Sequence, residues 1–283
     1  LYGRCDSVMK LRPFETTILK EILSDHKPNY TNEDLLALYT FTGGVPKYIE
    51  NFIDNGCMSV DEMIDFMMLP DSMFQNEGKT LLIQEFGKKY GNYFAILSAI
   101  ANGDNTIPKL NDTTGETTVT GHLKRLEEDY ELITKKRPIF AKDGTQTVRF
   151  EISDLFLRFW FRYFTKYNDL IETGNLELLG KIIKDDYPTY SGLTLEMYFR
   201  QKMAESKEFR NIGSWWQTKK EKIPCEIDFV GIYADDKHAL VAEVKRQRKN
   251  FKPTEFREKV ETIRTKILSK YEIDSRCLSM DDM

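Results

Sequence analysis

Three residues late in the 283-residue chain have types and spacing suited to phosphodiester chemistry: Asp228, Glu243 and Lys245. Glu243 and Lys245 are two apart in the apolar run His238–Lys245, which reads as a strand, so both point to one face. Asp228 lies in the preceding strand-like run, Glu226–Tyr233, and can face them across a hairpin turned at Asp235-Asp236-Lys237. Two carboxylates brought together in an apolar sheet repel each other and are costly to desolvate. A divalent cation removes that cost, and oxygen donors suit Mg²⁺ or Mn²⁺. Asp228 and Glu243 are therefore the expected metal ligands. The ion would generate a nucleophile from water and stabilise charge on a phosphodiester, with Lys245 orienting or activating the water. Glu196, in a helical stretch over residues 193–203, is a candidate supporting acid. The alternative for a helix glutamate is plain solvation.

Context separates this pattern from chance. Glu-x-Lys also occurs at Glu77-Gly78-Lys79 and Glu205-Ser206-Lys207, but in helical or loop-like surroundings. Only Glu243-Val244-Lys245 follows an apolar strand with an acidic hairpin partner; its bland alternative is a strand edge carrying a salt bridge. Directly after it, residues 245–252 hold five cations and no acid. Arg246, Arg248 and Lys249 are candidates to grip a nucleic-acid backbone, against the alternative of a solvated charged face. Gly78-Lys79-Thr80 invites a phosphate-loop reading, but the pattern needs a glycine five positions earlier, where Met73 stands. The chain is expected to contain no such loop.

These residues need elements to hold them. Residues 14–90 read as a helical bundle, with a helix start at Thr31-Asn32-Glu33-Asp34 and a break at Thr42-Gly43-Gly44-Val45-Pro46. Residues 93–101, 106–112 and 117–130 predict three helices. The third carries Val119, Leu123, Leu126 and Tyr130 on one stripe. A strand near Ile133, a second over 139–142, a turn at Asp143-Gly144 and a third strand over 147–152 follow. Three helices and then a β-hairpin is the order of a winged helix, whose third helix enters the DNA major groove. Thr118, Thr120, Lys124 and Arg125 would then reach phosphates and base edges. A winged helix used as a protein-interaction module is the alternative. Residues 154–170 predict an aromatic helix capped by Asp154 and buried between two domains. Beyond Pro188 the pattern becomes helix, strand, hairpin, helix, strand. The organisation expected is therefore residues 1–87, 88–190 and 191–283, an α+β multi-domain chain.

Composition limits the classes of function. Lys and Arg number 41 against 45 Asp and Glu, a net charge of −4, so no global basic field draws the chain to a polyanion. The distribution is uneven: residues 1–87 carry −7 and residues 191–283 carry +3. Any nucleic acid is thus met by the later segments. No apolar run approaches the ~20 residues of a membrane helix. The four cysteines are far apart, which excludes a zinc ribbon or disulfide framework and points to the reducing cytoplasm. The chain opens on Leu1 with neither an initiator methionine nor a signal peptide, and reads as a piece of a longer protein.

Asp228…Glu243-Val244-Lys245 resembles the PD-(D/E)XK motif of restriction-endonuclease-like nucleases. More broadly, the chain resembles the part of archaeal-type AAA ATPases that follows the ATPase core. The resemblance rests on Leu1-Tyr2-Gly3-Arg4, Leu11-Arg12-Pro13-Phe14, Thr42-Gly43-Gly44-Val45-Pro46-Lys47-Tyr48, Phe159-Trp160-Phe161-Arg162-Tyr163, Gly213-Ser214-Trp215-Trp216 and Glu226-Ile227-Asp228. It implies a helical lid (1–87), a winged helix with a connecting helix (88–190) and a restriction-endonuclease-like domain (191–283). It further implies Asp228 and Glu243 as metal ligands, Lys245 as catalytic lysine, Glu196 as the helix acid, DNA as partner and Mg or Mn as cofactor. ATP binding and self-association would belong to an ATPase core absent from this sequence. The runners-up are a non-catalytic DNA-binding or sensing portion and a protein-interaction adaptor.

Overall fold

The computed structural model describes residues 11–87, 90–115, 117–142, 144, 148–217 and 225–283. Leu1-Tyr2-Gly3-Arg4 and Asp143 of the expected hairpin turn lie outside the described residues. The first helices are α1 (Thr16–His26), α2 (Asn32–Thr42), α3 (Pro46–Asp54), α4 (Val60–Met67) and α5 (Met73–Phe86). α2 starts on a capping box, in which the Thr31 hydroxyl accepts the Asp34 N–H and the Asp34 carboxylate accepts the Thr31 N–H. Leu35 through Phe41 are all buried, which makes α2 the central helix of this bundle. The break after it has a steric cause. Gly43 and Gly44 have φ of +59° and +81°, and a Cβ on Gly44 would stand 2.7 Å from the Phe14 carbonyl oxygen. Pro46 then opens α3, where a missing N–H costs nothing.

Gly78 lies inside α5, not in a phosphate loop. A Cβ there would meet the Trp160 ring at 2.3 Å, and the Trp160 indole N–H donates to the Gln75 carbonyl at 2.9 Å. This glycine makes room for a tryptophan.

α6 (Tyr90–Ala101), α7 (Ile107–Thr114) and α8 (Thr120–Glu128) precede an antiparallel pair, β1 (Ile133–Lys136) and β2 (Arg149–Ile152), with Ile133 opposite Ile152. The expected strand over 139–142 does not form. Ile139 leaves the hairpin instead: its N–H donates to the Ser214 carbonyl at 2.8 Å and its side chain is buried against Gly213 and the larger sheet. Burying Ile139 there outweighs continuing a two-stranded ladder, which is marginal by itself. Phe140 stacks on Tyr271, with ring centroids 6.2 Å apart.

The aromatic segment forms α9 (Leu155–Trp160), capped by Asp154 through the Leu157 N–H at 2.8 Å. It continues as a π-helical turn over Phe161–Thr165. Phe156, Phe159, Phe161 and Phe164 are all buried. The aromatics surround the axis because the segment packs against α2 and α5 on one side and α6 on the other. After α10 (Asn168–Glu172) comes α11, a 30-residue helix over Leu176–Glu205. It runs through Pro188, beyond which the sequence predicts a new helix, and the division at 190/191 falls within it. One helix therefore serves both the helical bundle and the second sheet.

That sheet contains β3 (Phe209–Trp216), β4 (Glu226–Tyr233), β5 (His238–Lys245) and β6 (Glu272–Ser279) in spatial order. The first two pairings are antiparallel and β5–β6 is parallel, joined by α12 (Pro253–Lys266). Ala239 and Val241 pack with the Phe256, Val260 and Ile263 stripe of α12, while Leu240, Ala242 and Val244 join the large core on the other side. No helix among the described residues is long and apolar enough to cross a membrane.

Candidate functional site

The alternation in β5 decides where the charged residues go. Leu240, Ala242 and Val244 occupy one face, so Glu243 and Lys245 fall on the other, the face covered by α12. The regular β4–β5 pairing runs from Ile232↔Ala239 to Phe229↔Ala242, which sets Asp228 at the next position, beside Glu243. There the Asp228 carboxylate accepts the Val244 N–H at 2.8 Å. Lys245 Nζ lies 2.9 Å from Glu243 Oε1 and 3.9 Å from Asp228 Oδ2. The three residues singled out by spacing are thus brought together, and one ammonium faces both carboxylates.

Lys259 joins them. It rises from α12 with Nζ 3.0 Å from both oxygens of Glu243. Sequence reasoning missed it, although a signal was present: Lys259 follows Phe256 by three residues and precedes Val260 on the buried stripe, so it borders the face that meets the sheet.

Glu243 is only 8% exposed, and its two ammonium partners supply the charge that burial requires. Burial pushes the Asp228 carboxyl above its ordinary range, Glu243 adds to the rise, and the Val244 N–H opposes it. Burial works against the Lys245 charge, but Glu243 and Asp228 outweigh it and hold the ammonium above its ordinary range. Glu196 approaches from α11 and is pushed up to about 8, first by burial and then by the Asp228 charge. Glu196 and Asp228 line one cleft, between α11, β2 and the ends of β3 and β4.

Asp228 and Glu243 are donors of the right kind for a hard divalent cation. The Lys245 ammonium is the positive centre both carboxylates approach, Glu243 at 2.9 Å and Asp228 at 3.9 Å. Among the described residues, no three His, Cys, Asp or Glu side chains gather to hold a metal ion.

The remaining candidates are scattered. Arg246 is not free: its guanidinium reaches Glu33 of α2 at 2.5 and 2.7 Å, donates to the Ser191 hydroxyl and lies over the Tyr187 ring. Arg248 pairs with Asp282 at 2.6 Å. Lys249 is exposed in a short 3-10 turn. Lys124 is exposed on α8, within 3.7 Å of Glu128, and Thr118 and Thr120 flank the helix start on the surface. Arg125 reaches the Tyr93 hydroxyl at 3.5 Å. The basic run after Lys245 is therefore divided between an anchor, a partly exposed ion pair and a solvated end.

A mixed α+β chain with a two-stranded and a four-stranded sheet carries this cluster. Residues 160–259 match a family model, DUF234, described as archaea bacterial proteins of unknown function. That span begins in α9 and takes in α11, β3 to β5 and the first half of α12, hence Asp228, Glu243, Lys245 and Lys259. The chain is also 31% identical over 254 residues to the uncharacterized protein MJECL04 of Methanocaldococcus jannaschii, covering 87% of this chain and 54% of the relative. It spans about half the length of that curated relative. No solved structure matches the chain.

Proposed function

We propose that this chain binds DNA and cleaves phosphodiester bonds with a divalent metal, as part of a longer AAA-type ATPase. The observation that carries this reading is the meeting of Asp228, Glu243 and Lys245 at the end of a β4–β5 hairpin, with one ammonium 2.9 and 3.9 Å from the two carboxylates. The element order around it (helix, three antiparallel-connected strands, helix, parallel strand) supports a restriction-endonuclease-like domain. Three helices and a strand pair over Tyr90–Ile152 support a winged helix, with Thr118, Thr120, Lys124 and Arg125 on the DNA side.

Asp228 and Glu243 would hold a Mg²⁺ or Mn²⁺ ion, which when bound supplies a Lewis acid for water and the scissile phosphate. In this reading Lys245 holds its proton at Nζ and turns from Glu243 toward the attacking water or a phosphate oxygen. Lys259 keeps Glu243 anchored when Lys245 turns away. Glu196 faces Asp228 across the cleft and adjusts the charge of the site.

One observation favours the second reading, a non-catalytic nucleic-acid-sensing domain. Glu243 is already neutralised by two lysines, as a structural ion-pair cluster would be. The test is cleavage of single-stranded, duplex and branched DNA with Mg²⁺, Mn²⁺ or EDTA, in the chain and in the protein with its ATPase core. Cutting that requires metal and disappears in Glu243→Gln and Lys245→Met variants that fold normally is expected. Metal-independent nicking, or no cutting by the complete protein, would leave the sensing reading in its place.

A further inference from the structure

The walls of the cleft that Asp228 and Glu196 share include hydrogen-bond donors with no acceptor among the described residues. It has a volume of about 210 Å³, and its walls include Lys136, Arg149, Arg158, Arg200 and Trp216. Trp216 is 5% exposed, and its indole N–H has no acceptor among the described residues. Arg200 comes within 3.7 Å of Glu151 and 3.5 Å of Glu196, yet its buried Nε–H has no acceptor either. Arg158 has no carboxylate partner among the described residues; its guanidinium touches the Met197 sulfur at 3.2 Å and lies over the Tyr190 ring. Arg149 differs, because Glu226 takes it in a two-point pair at 2.5 and 3.1 Å while it covers the Trp216 ring at 4.5 Å.

Buried polar groups are nearly always satisfied, so two unsatisfied donors and one unsatisfied acceptor, Glu151 Oε2, around a single cavity call for a guest from outside that brings lone pairs and a proton. Arg158, without a counter-ion, asks that the guest be an anion. The volume admits one compact group with several lone pairs, and guanidinium recognition of phosphate oxygens has that geometry. We propose that this cleft binds a phosphate group, the terminal phosphate of a nucleic-acid strand, held by Arg158, Arg200 and the Trp216 N–H. An end is favoured over a passing strand because α11, β2 and the ends of β3 and β4 enclose the space. Asp228 stands in the same wall, so a bound end would bring an adjoining linkage toward the Asp228–Glu243–Lys245 cluster. The choice of nucleic acid as the source rests on the function proposed above; the phosphate site itself does not.

The test is direct binding in EDTA, so that an inactive nuclease reports as well as an active one. Short single strands of one sequence are compared with a 5′-phosphate, a 3′-phosphate or hydroxyls at both ends, and inorganic phosphate is titrated separately. One phosphorylated strand is expected to bind about tenfold more tightly than the hydroxyl strand. Trp216→Phe, which keeps an aromatic ring and loses the N–H, and Arg158→Met should each erase that advantage, while Arg158→Lys restores part of it. Thermal melts check that each variant folds. If only inorganic phosphate binds, and Arg158→Met abolishes it, the phosphate site stands while the nucleic-acid source is overturned. Equal affinity for all strands with no phosphate binding overturns the site, as does an advantage that survives both Trp216→Phe and Arg158→Met.

Discussion

The cluster at the end of β5 and the outer face of α8 are both charge-rich, but they are built in opposite ways. Around Glu243 every charge has a partner fixed by packing: β5 aims Glu243 and Lys245 at α12, and α12 returns Lys259. On α8, Lys124 is 70% exposed and its acid partner, Glu128, lies 3.7 Å away on the same helix. The first arrangement is expensive to disturb; the second costs little to change and positions nothing until a partner arrives. Chemistry on a bond belongs with the former, and electrostatic capture of a long polyanion belongs with the latter.

The largest effect should come from breaking the pre-built side. Glu243→Gln keeps shape and removes the charge that Lys245 and Lys259 share. On the proposed nuclease reading, metal-dependent DNA cleavage should fall at least about a hundredfold, or ~2.7 kcal/mol in barrier, in a single-turnover assay. Wild-type rates in that variant would reduce the cluster to an ion-pair knot. Next comes Arg246→Met, which strands Glu33 and empties the space between α2, α11 and β5. With the arginine side chain 17% exposed, a loss of about 2–3 kcal/mol and a melting temperature several degrees lower are expected. Lys249→Met, three residues along the same basic run, should stay within about 0.5 kcal/mol of wild type. Equal effects of the two would contradict the division of the run into anchor and solvated end.

What could be read from the chain follows the same division. Asp228, Glu243 and Lys245 were legible because strand alternation and a short hairpin turn are local rules, and the sheet obeys them. The Gly43-Gly44 break was legible because its cause lies in φ. Lys259 required knowing which face of α12 meets the sheet, and Arg246 required a contact with Glu33, 213 positions away in sequence. Ile139 was assigned to the hairpin because its neighbours alternate, whereas it packs on an edge strand that local patterning does not reveal. The sequence predicts a new helix beyond Pro188, yet α11 holds on both sides of it through tertiary contacts that override the local cost.

A smaller, pH-dependent effect separates the two readings of Glu196. Its carboxyl is pushed up to about 8 in the folded protein. Between its ordinary pKa, about 4.3, and 8 the native state keeps a proton that the unfolded chain releases. Stability should therefore fall as pH rises through that window and change little from this group outside it. Glu196→Gln cannot ionise and should flatten the profile, gaining stability over wild type near pH 8.5 and far less at pH 5. Denaturant melts across that range decide it; parallel profiles would mean that Glu196 ionises freely and has no dialogue with Asp228.

The smallest effect tests the exposed side. If α8 meets DNA through phosphates, Lys124→Gln should weaken binding evenly across sequences and lower the slope of log affinity against log salt by about one. Thr120→Val should leave that slope unchanged, because a hydroxyl releases no counterion, while reducing affinity slightly if it reaches a phosphate or base edge. Folding should be indifferent to Lys124→Gln, since its ion pair with Glu128 is a solvated one on a single helix. An unchanged salt slope would take DNA away from α8. The exposed cations at the end of the basic run, Lys249 and Lys252, would then be the next place to look, and the contrast between a built cluster and an open face would have to be redrawn within the second sheet's own domain.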